Sequence, residues 1–120
     1  MTIALLGTGL LGQAIAGRLQ SAGHTVTVYN RTTTKALPLQ AYGINVVTRP
    51  EQAIGQADCV IFMLADAAAI RAVLLTPASS AVLRGKTVIQ MGTIGQEESL
   101  ALQAEIEREI GRHTSELQSR

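Results

Sequence analysis

The residues best suited to chemistry are three glycines near the amino end, within Gly7-Thr8-Gly9-Leu10-Leu11-Gly12. They match the pattern G-x-G-x-x-G and follow a short apolar run, Thr2 to Leu6, of the length of a β-strand. Apolar residues then recur at helical spacing, so a helix is expected to begin within the motif. A strand, a glycine turn and a helix N-terminus in succession predict a site where backbone amides and the helix dipole hold phosphate groups.

Each glycine has a separate task in such a site. Gly7 allows a sharp turn off the strand, Gly9 leaves the backbone open to a pyrophosphate, and Gly12 lets the helix pack closely on the strand. The same glycines also occur in tight turns that bind no nucleotide. A dinucleotide site is favoured because a second predicted strand, Thr25 to Asn30, follows at the distance that a βαβ unit requires.

The end of this second strand predicts which dinucleotide binds. In an NAD site a carboxylate here accepts hydrogen bonds from the ribose 2′-hydroxyl, whereas this chain has Asn30, followed by Arg31, Thr32 and Thr33. These groups can bind a 2′-phosphate that a carboxylate would repel, so NADP(H) is the expected cofactor. The alternative is that Arg31 is a solvated surface residue and Asn30 a turn residue.

The elements that must position these residues follow from the hydrophobic pattern. Strands are predicted at Thr2–Leu6, Thr25–Asn30, Ile44–Thr48, Cys59–Leu64 and Lys86–Met91. Helices are predicted at about Leu10–Ala22, Thr34–Tyr42, Pro50–Gln56, from Asp66 to a break at Thr76–Ser80, and Gln96–Ile110. Ala69, Ile70, Val73 and Leu74 are expected to pack the fourth helix on the sheet.

Continuous apolar strands that alternate with helices predict an α/β protein with a Rossmann fold. The expected architecture is a doubly wound parallel sheet of five strands, in the order 3-2-1-4-5, with helices on both faces. The domain is expected to occupy residues 1–111, and residues 112–120 to form a polar tail.

Composition narrows the classes of partner. The chain has 120 residues, 47% hydrophobic residues and a formal charge of +1, which suits one domain with a sizeable core. Without a Lys/Arg cluster or an aromatic platform, neither nucleic acid nor an anionic membrane is an expected partner. The apolar runs are short for a bilayer span, and the amino end lacks the pattern of a signal peptide, so the cytoplasm is the expected location.

Cysteine and histidine chemistry is not expected. Cys59 is the single cysteine and lies in a predicted strand, where a buried structural thiol is the favoured interpretation. His24 follows a helix-to-strand turn and His113 lies in the polar tail, so both are expected at the surface. No metal site is predicted.

Beyond the glycine motif, four segments resemble the N-terminal domain of the 3-hydroxyisobutyrate dehydrogenase and 6-phosphogluconate dehydrogenase group, the β-hydroxyacid dehydrogenases. They are Ala22–Thr32, Met63–Asp66, Gly85–Ile89 and Gln90–Gly95, the last being similar to the family's Asp-Met-Ser-Thr-Ile-Ser. The resemblance implies NADP(H) along the ends of strands one, two and four. It further implies that Met63, Leu64 and Ala65 lie beside the cofactor, with Thr93 near the nicotinamide or the substrate.

Two departures from the family limit what the resemblance implies. Gly92 stands where the family usually has a serine that contacts substrate. The family's sixth strand, its substrate loop and the helical domain with its catalytic lysine have no counterpart, and Lys35 and Lys86 are interpreted as ordinary surface lysines. No catalytic residue is therefore assigned.

The resemblance thus implies the cofactor domain of an oxidoreductase that uses a small hydroxyacid or aldehyde in full-length relatives, inactive alone because it lacks a general acid. The alternative is a stand-alone NADP(H)-binding sensor or scaffold without catalysis. Strand five as an exposed edge, together with uncovered apolar surface, predicts a homodimer formed by edge pairing or by exchange of the last helix.

Overall fold

Five parallel strands form one sheet in the order β3-β2-β1-β4-β5 in the computed structural model, which describes residues 1–7, 10–64, 67–91 and 96–110. The strands are β1 Thr2–Leu6, β2 Thr25–Tyr29, β3 Asn45–Val47, β4 Cys59–Phe62 and β5 Thr87–Gln90. The predicted Rossmann architecture and strand order are confirmed. Each strand lies within its predicted range, and the central β1 is buried along nearly all of its length, as expected between two helical layers.

The helices fill the connections between successive strands, except for α6, which follows β5. They are α1 Leu10–Ser21, α2 Thr33–Ala36, a 3₁₀ helix Leu37–Tyr42, α3 Pro50–Gln56, α4 Ala67–Leu74, α5 Pro77–Leu83 and α6 Gln96–Ile110. The core has two parts, one on each face of the sheet. Residues of α1, α2 and the 3₁₀ helix belong to one part, and residues of α3, α4, α5 and α6 to the other.

The prediction of a single helix for Thr34–Tyr42 is wrong, because this segment contains two helices of different types. One turn of α-helix, α2, passes directly into the 3₁₀ helix, whose second residue is Pro38. Proline has no amide hydrogen for the hydrogen bond of an α-helix, so the tighter 3₁₀ winding continues the chain instead. Gly43 ends the segment at φ +79°, the left-handed conformation that glycine adopts without strain.

The break predicted at Thr76–Ser80 is the start of another helix, α5. Thr76 caps it, since its Oγ1 accepts a hydrogen bond of 3.2 Å from the Ser79 amide, and Pro77 occupies the first turn. The hydroxyl of the buried Ser79 donates to the Val73 carbonyl oxygen at 2.6 Å, which ties α5 to the end of α4. Polar residues that suggested a loop are therefore capping and bridging groups.

Two polar side chains, those of His24 and Thr27, are more buried than their residue types suggest. Cys59 is buried, as predicted, but His24 is half-buried rather than at the surface. Thr27 is fully buried in β2, and its hydroxyl has no hydrogen-bond partner among the residues that the structure describes.

Candidate functional site

The carboxyl ends of the strands lie level at one edge of the sheet. Leu6 of β1 is in register with Tyr29 of β2 on one side and with Phe62 of β4 on the other. The Gly7 amide donates to the Tyr29 carbonyl oxygen at 2.8 Å, and the Met63 amide donates to the Leu6 carbonyl oxygen at 2.9 Å. The residues that follow these strands therefore meet at one place, where doubly wound folds bind their ligands.

Gly7 and Gly12 allow close backbone contacts at this place. Gly7 has φ +99°, and a Cβ there would lie 2.7 Å from the Met63 carbonyl oxygen and 3.3 Å from Leu64 Cδ2. A Cβ at Gly12 would lie 2.9 Å from the Gly7 carbonyl oxygen. The first turns of α1 are thus pressed onto the end of β1, and four of the predicted site residues are neighbours.

A cavity of about 380 Å³ opens between the ends of β2 and β4 and one side of α4. Its lining consists of Tyr29, Asn30, Arg31, Leu64, Ala69, Ala72 and Val73. The volume lies within the range of small-molecule sites, and the lining is largely apolar with a few polar groups at one end. None of these lining residues carries a carboxylate, so the one charged group is the guanidinium of Arg31.

A turn after β2 places Arg31. The Asn30 side-chain amide donates to the Thr32 carbonyl oxygen at 2.8 Å, which closes the chain around Arg31. Arg31 is exposed at the cavity, so its five donors are available to an anionic oxygen there. Thr32 is exposed and does not line the cavity, and it takes part in the turn through its carbonyl oxygen.

The remaining predicted site residues divide into two groups. Leu10 and Leu11 are the first two residues of α1. Thr8, Gly9, Ala65 and Thr93 lie outside the described residues.

The sequence interpretation missed four of the lining residues. Ala69 and Val73 were expected to do no more than pack α4 on the sheet, and Tyr29 and Ala72 were not considered for the site. Val73 does both, since it is 9% exposed in the core and also lines the cavity. Two alanines three residues apart on the helix after β4 were the available signal, because small side chains leave room beside a strand end.

Neither of the two lysines set aside in the sequence lines the cavity. Lys35 is exposed on α2. Lys86 lies just before β5, at the opposite edge of the sheet, and its Nζ donates to the Ala57 carbonyl oxygen at 2.6 Å. The description of Lys86 as an ordinary surface lysine is therefore wrong, because its ammonium group is partly buried and binds the carbonyl at the end of α3.

Charge is divided between the two halves of the sheet. Residues 1–50, which contain β1, β2 and β3, carry four Lys or Arg and no Asp or Glu, a net charge of +4. Residues 51–120 carry six Lys or Arg and nine Asp or Glu, a net charge of −3. The glycine turn and Arg31 both belong to the positive half, which favours an anionic ligand at this edge.

The described ranges contain neither a group of metal ligands nor a helix that could span a membrane. No three His, Cys, Asp or Glu side chains within them are grouped so that they could hold a metal ion. None of the helices in those ranges combines the length and the apolar character needed to cross a membrane.

Comparison with known proteins decides the family. A family model described as the NAD binding domain of 6-phosphogluconate dehydrogenase matches residues 2–113. The chain belongs to this family. The resemblance inferred from the sequence is confirmed, and the protein is an NAD(P)-binding domain of the hydroxyacid dehydrogenase-like group.

Curated relatives of this NAD(P)-binding domain include two plant enzymes. A probable 3-hydroxyisobutyrate dehydrogenase-like protein, mitochondrial, of Arabidopsis thaliana is 39% identical over 102 residues, covering 82% of this chain and 30% of the relative. The glyoxylate/succinic semialdehyde reductase 1 of the same plant is 32% identical over 114 residues, covering 93% and 39%. The chain thus spans between three and four tenths of the length of these relatives.

Solved structures of longer reductases contain the same domain. An oxidoreductase from Pseudomonas putida KT2440 is 29% identical with a TM-score of 0.85, over 91% of this chain and 37% of that one. A reductive aminase from Aspergillus terreus, solved in complex with NADPH and ethyl levulinate, is 28% identical with a TM-score of 0.77, over 94% and 38%.

Proposed function

We propose that this NAD(P)-binding domain binds NADP(H) in preference to NAD(H). The observation that carries the proposal is the guanidinium of Arg31, alone in charge among the residues lining the cavity at the end of β2. Compared with NAD(H), the 2′-phosphate of NADP(H) adds up to two negative charges, and its oxygens can accept hydrogen bonds from the planar guanidinium. The NADPH in the related reductive aminase supports the same choice of cofactor.

The residues around the cavity fit the rest of such a cofactor. The motif Gly7-Thr8-Gly9-Leu10-Leu11-Gly12 would hold the pyrophosphate at the start of α1, and Arg31 would bind the 2′-phosphate from the turn that Asn30 and Thr32 form. Met63, Leu64 and Ala65 would line the path of the cofactor, with Thr93 near its nicotinamide end. The apolar lining from Leu64, Ala69, Ala72 and Val73 suits the adenine ring. When bound, NADP(H) supplies or accepts a hydride, and the chain's own part is to bind and orient it.

Titration of the purified chain with NADPH and with NADH tests the choice of cofactor. Arg31→Ala should weaken NADPH binding by about 10- to 100-fold, because hydrogen bonds to charged groups contribute about 1.5–3 kcal/mol. NADH binding should remain within about twofold, since its free 2′-hydroxyl does not need the guanidinium. Lys35→Ala is the matched control, because it removes a nearby positive charge that does not line the cavity. Equal affinity of the parent chain for NADPH and NADH would overturn the proposal.

The reaction proposed for the full-length proteins is hydride transfer between NADP(H) and a small hydroxyacid or semialdehyde. The names of the two plant relatives support this class of substrate. The chain alone is proposed to be inactive, because Lys86 lies before β5 at the amino edge of the sheet and Lys35 does not line the cavity, so neither is placed to serve as a general acid. The test is to mix this chain alone with NADPH and succinic semialdehyde and to follow the oxidation of NADPH. Oxidation that is retained in a Lys35→Ala, Lys86→Ala variant would contradict the proposed inactivity.

The second candidate function is an NADP(H)-binding module without catalysis. The NADP(H) site is common to both candidates, so binding does not separate them. They are separated by adding the helical domain of a related reductase in trans and measuring turnover. A rise in NADPH oxidation favours the enzyme, and no change favours the module. We also propose that the protein is cytoplasmic and forms a homodimer.

A further inference from the structure

A methionine sulfur lies against the start of α1, where the proposed site holds the pyrophosphate. Met63 follows β4 directly, and its amide donates to the Leu6 carbonyl oxygen, which fixes its backbone beside the end of β1. Its Sδ lies 3.8 Å from the position that a Cβ at Gly12 would take, a distance of ordinary van der Waals contact. The thioether of Met63 therefore packs beside the first turn of α1.

The side chain of Met63 belongs to the α1 side of the sheet. Together with Met91 it packs against the part of the core that contains Ala16 of α1, whereas Leu64 packs on the other side and lines the cavity. Met63 is only partly buried. A small oxidant in the solvent can therefore reach this residue.

The turn of helix beside this sulfur carries the amides that a phosphate needs. The first amides of an α-helix have no acceptor within the helix, and Gly12, the third residue of α1, supplies one of them. These amides and the positive end of the helix dipole attract strong hydrogen-bond acceptors. A thioether sulfur is a weak acceptor, so Met63 leaves the amides available to the pyrophosphate.

We propose that Met63 is an oxidation site that closes the pyrophosphate end of the cofactor site. The oxidant is hydrogen peroxide, and the product is methionine sulfoxide. The sulfur lone pair attacks one peroxide oxygen, and the S–O bond forms as the O–O bond breaks. The hydroxide that leaves takes the remaining proton and departs as water. The sulfur loses two electrons, and the peroxide gains them.

The sulfoxide changes the character of this contact. Its oxygen is a strong acceptor beside the first turn of α1, where it competes with the pyrophosphate for the same amides. It also turns an apolar side chain into a polar one at the packing contact with Gly12. Reduction of the sulfoxide by a methionine sulfoxide reductase reopens the site, so the change is reversible.

This inference rests on the proposed function in one respect, that the pyrophosphate of a dinucleotide lies at the glycine turn. NADPH and NADH share the pyrophosphate, so oxidation of Met63 lowers both affinities by the same factor. Failure of the proposed cofactor preference has a different signature, because it appears as equal affinities for NADPH and NADH before any oxidation.

Peroxide treatment, followed by peptide mass spectrometry and cofactor titration, tests the proposal. Met1, which is 68% exposed and precedes β1 at the amino edge of the sheet, is the internal reference. Oxidation of Met63 should lower the affinities for NADPH and NADH by about tenfold, the loss expected for one hydrogen bond to a charged group. Bound NADP⁺ should slow the oxidation of Met63 several-fold and leave that of Met1 unchanged.

Met63→Leu and Met91→Leu are the matched pair of variants. Each removes a partly buried thioether on the same side of the sheet, from the ends of the neighbouring strands β4 and β5. After peroxide treatment, Met63→Leu should keep the affinity that it had before treatment, whatever that value is. Met91→Leu should lose as much affinity as the parent chain.

Far-UV circular dichroism of the oxidised chain separates closure of the site from unfolding, and we expect the spectrum of the folded chain. A Met63→Leu variant that loses as much affinity as the parent would overturn the proposal. So would a Met63 that stays a thioether while Met1 and Met91 are oxidised, or a loss of binding that occurs only with unfolding.

Discussion

At the scale of single residues, Thr27 is the clearest case of a polar group without compensation. Its side chain is fully buried in β2, and its hydroxyl finds no partner among the described residues. Thr27→Val keeps the shape and removes the hydroxyl, so we expect the free energy of unfolding to rise by about 1 kcal/mol. Thr25→Val in the same strand is the control, because Thr25 is exposed and the change should be within about 0.5 kcal/mol. Urea denaturation measures both, and a destabilised Thr27→Val would show that a buried water satisfies the hydroxyl.

Single residues were predictable where their role depends on neighbours in the sequence. The motif spacing anticipated the close backbone contacts at Gly7 and Gly12, and Asn30 and Arg31 line a cavity at the end of β2. Lys86 was misjudged because its hydrogen-bond acceptor, the Ala57 carbonyl, is 29 residues away. His24 was misjudged for the same reason, since burial of a turn residue depends on tertiary packing.

At the scale of elements, two glycines of α1 should respond oppositely to the same substitution. A Cβ at Gly12 would lie 2.9 Å from the backbone oxygen of Gly7, whereas one at Gly17 would meet no atom within 4 Å. Gly12→Ala should therefore lower the free energy of unfolding by about 1–3 kcal/mol through overpacking. Gly17→Ala should raise it by about 0.5–1 kcal/mol, because alanine loses less backbone entropy in a helix.

Thermal and urea unfolding of the two variants give this comparison directly. Gly12→Ala should also weaken NADPH binding, since it forces α1 away from the end of β1, while Gly17→Ala should leave it unchanged. If both variants were equally stable, the close contact of α1 with the glycine turn would be in error.

The bounds of the helices and strands show where the period of the hydrophobic residues is not enough to predict the structure. The period located β1 and α1 to within a residue, because an apolar strand and an amphipathic helix have different repeats. It did not separate α2 from the 3₁₀ helix at Pro38, where the absence of one amide hydrogen decides the winding. It also missed α5, whose start is marked by polar contacts of Thr76 and Ser79 and not by an apolar period.

At the scale of the whole molecule, strand order was predictable because right-handed crossovers leave few arrangements of five βα units. The cavity was not, since it needs the end of β2 and the second turn of α4, about 40 residues apart, to lie side by side. The division of charge between the two halves of the sheet also depends on how the strands are arranged. It becomes a property of one half of the sheet because the order β3-β2-β1-β4-β5 places the three strands of residues 1–50 side by side.

This division of charge predicts that ionic strength discriminates between the two cofactors. The 2′-phosphate of NADPH carries about 1.5–2 more negative charges than NADH, and it would lie in the half with net charge +4. Raising salt from about 0.1 M to about 1 M shortens the Debye length from about 10 Å to about 3 Å. NADPH affinity should therefore fall by about tenfold over this range, and NADH affinity by about threefold or less.

Fluorescence titration of nicotinamide across a salt series measures the two slopes. Arg31→Ala should reduce the NADPH slope toward that of NADH, because the nearest positive charge to the 2′-phosphate is removed. Glu97→Gln, which changes charge in the other half of the molecule and keeps the shape, should leave both slopes unchanged. Parallel slopes for NADPH and NADH in the parent chain would mean that the positive half does not face the 2′-phosphate, whatever the affinities at low salt.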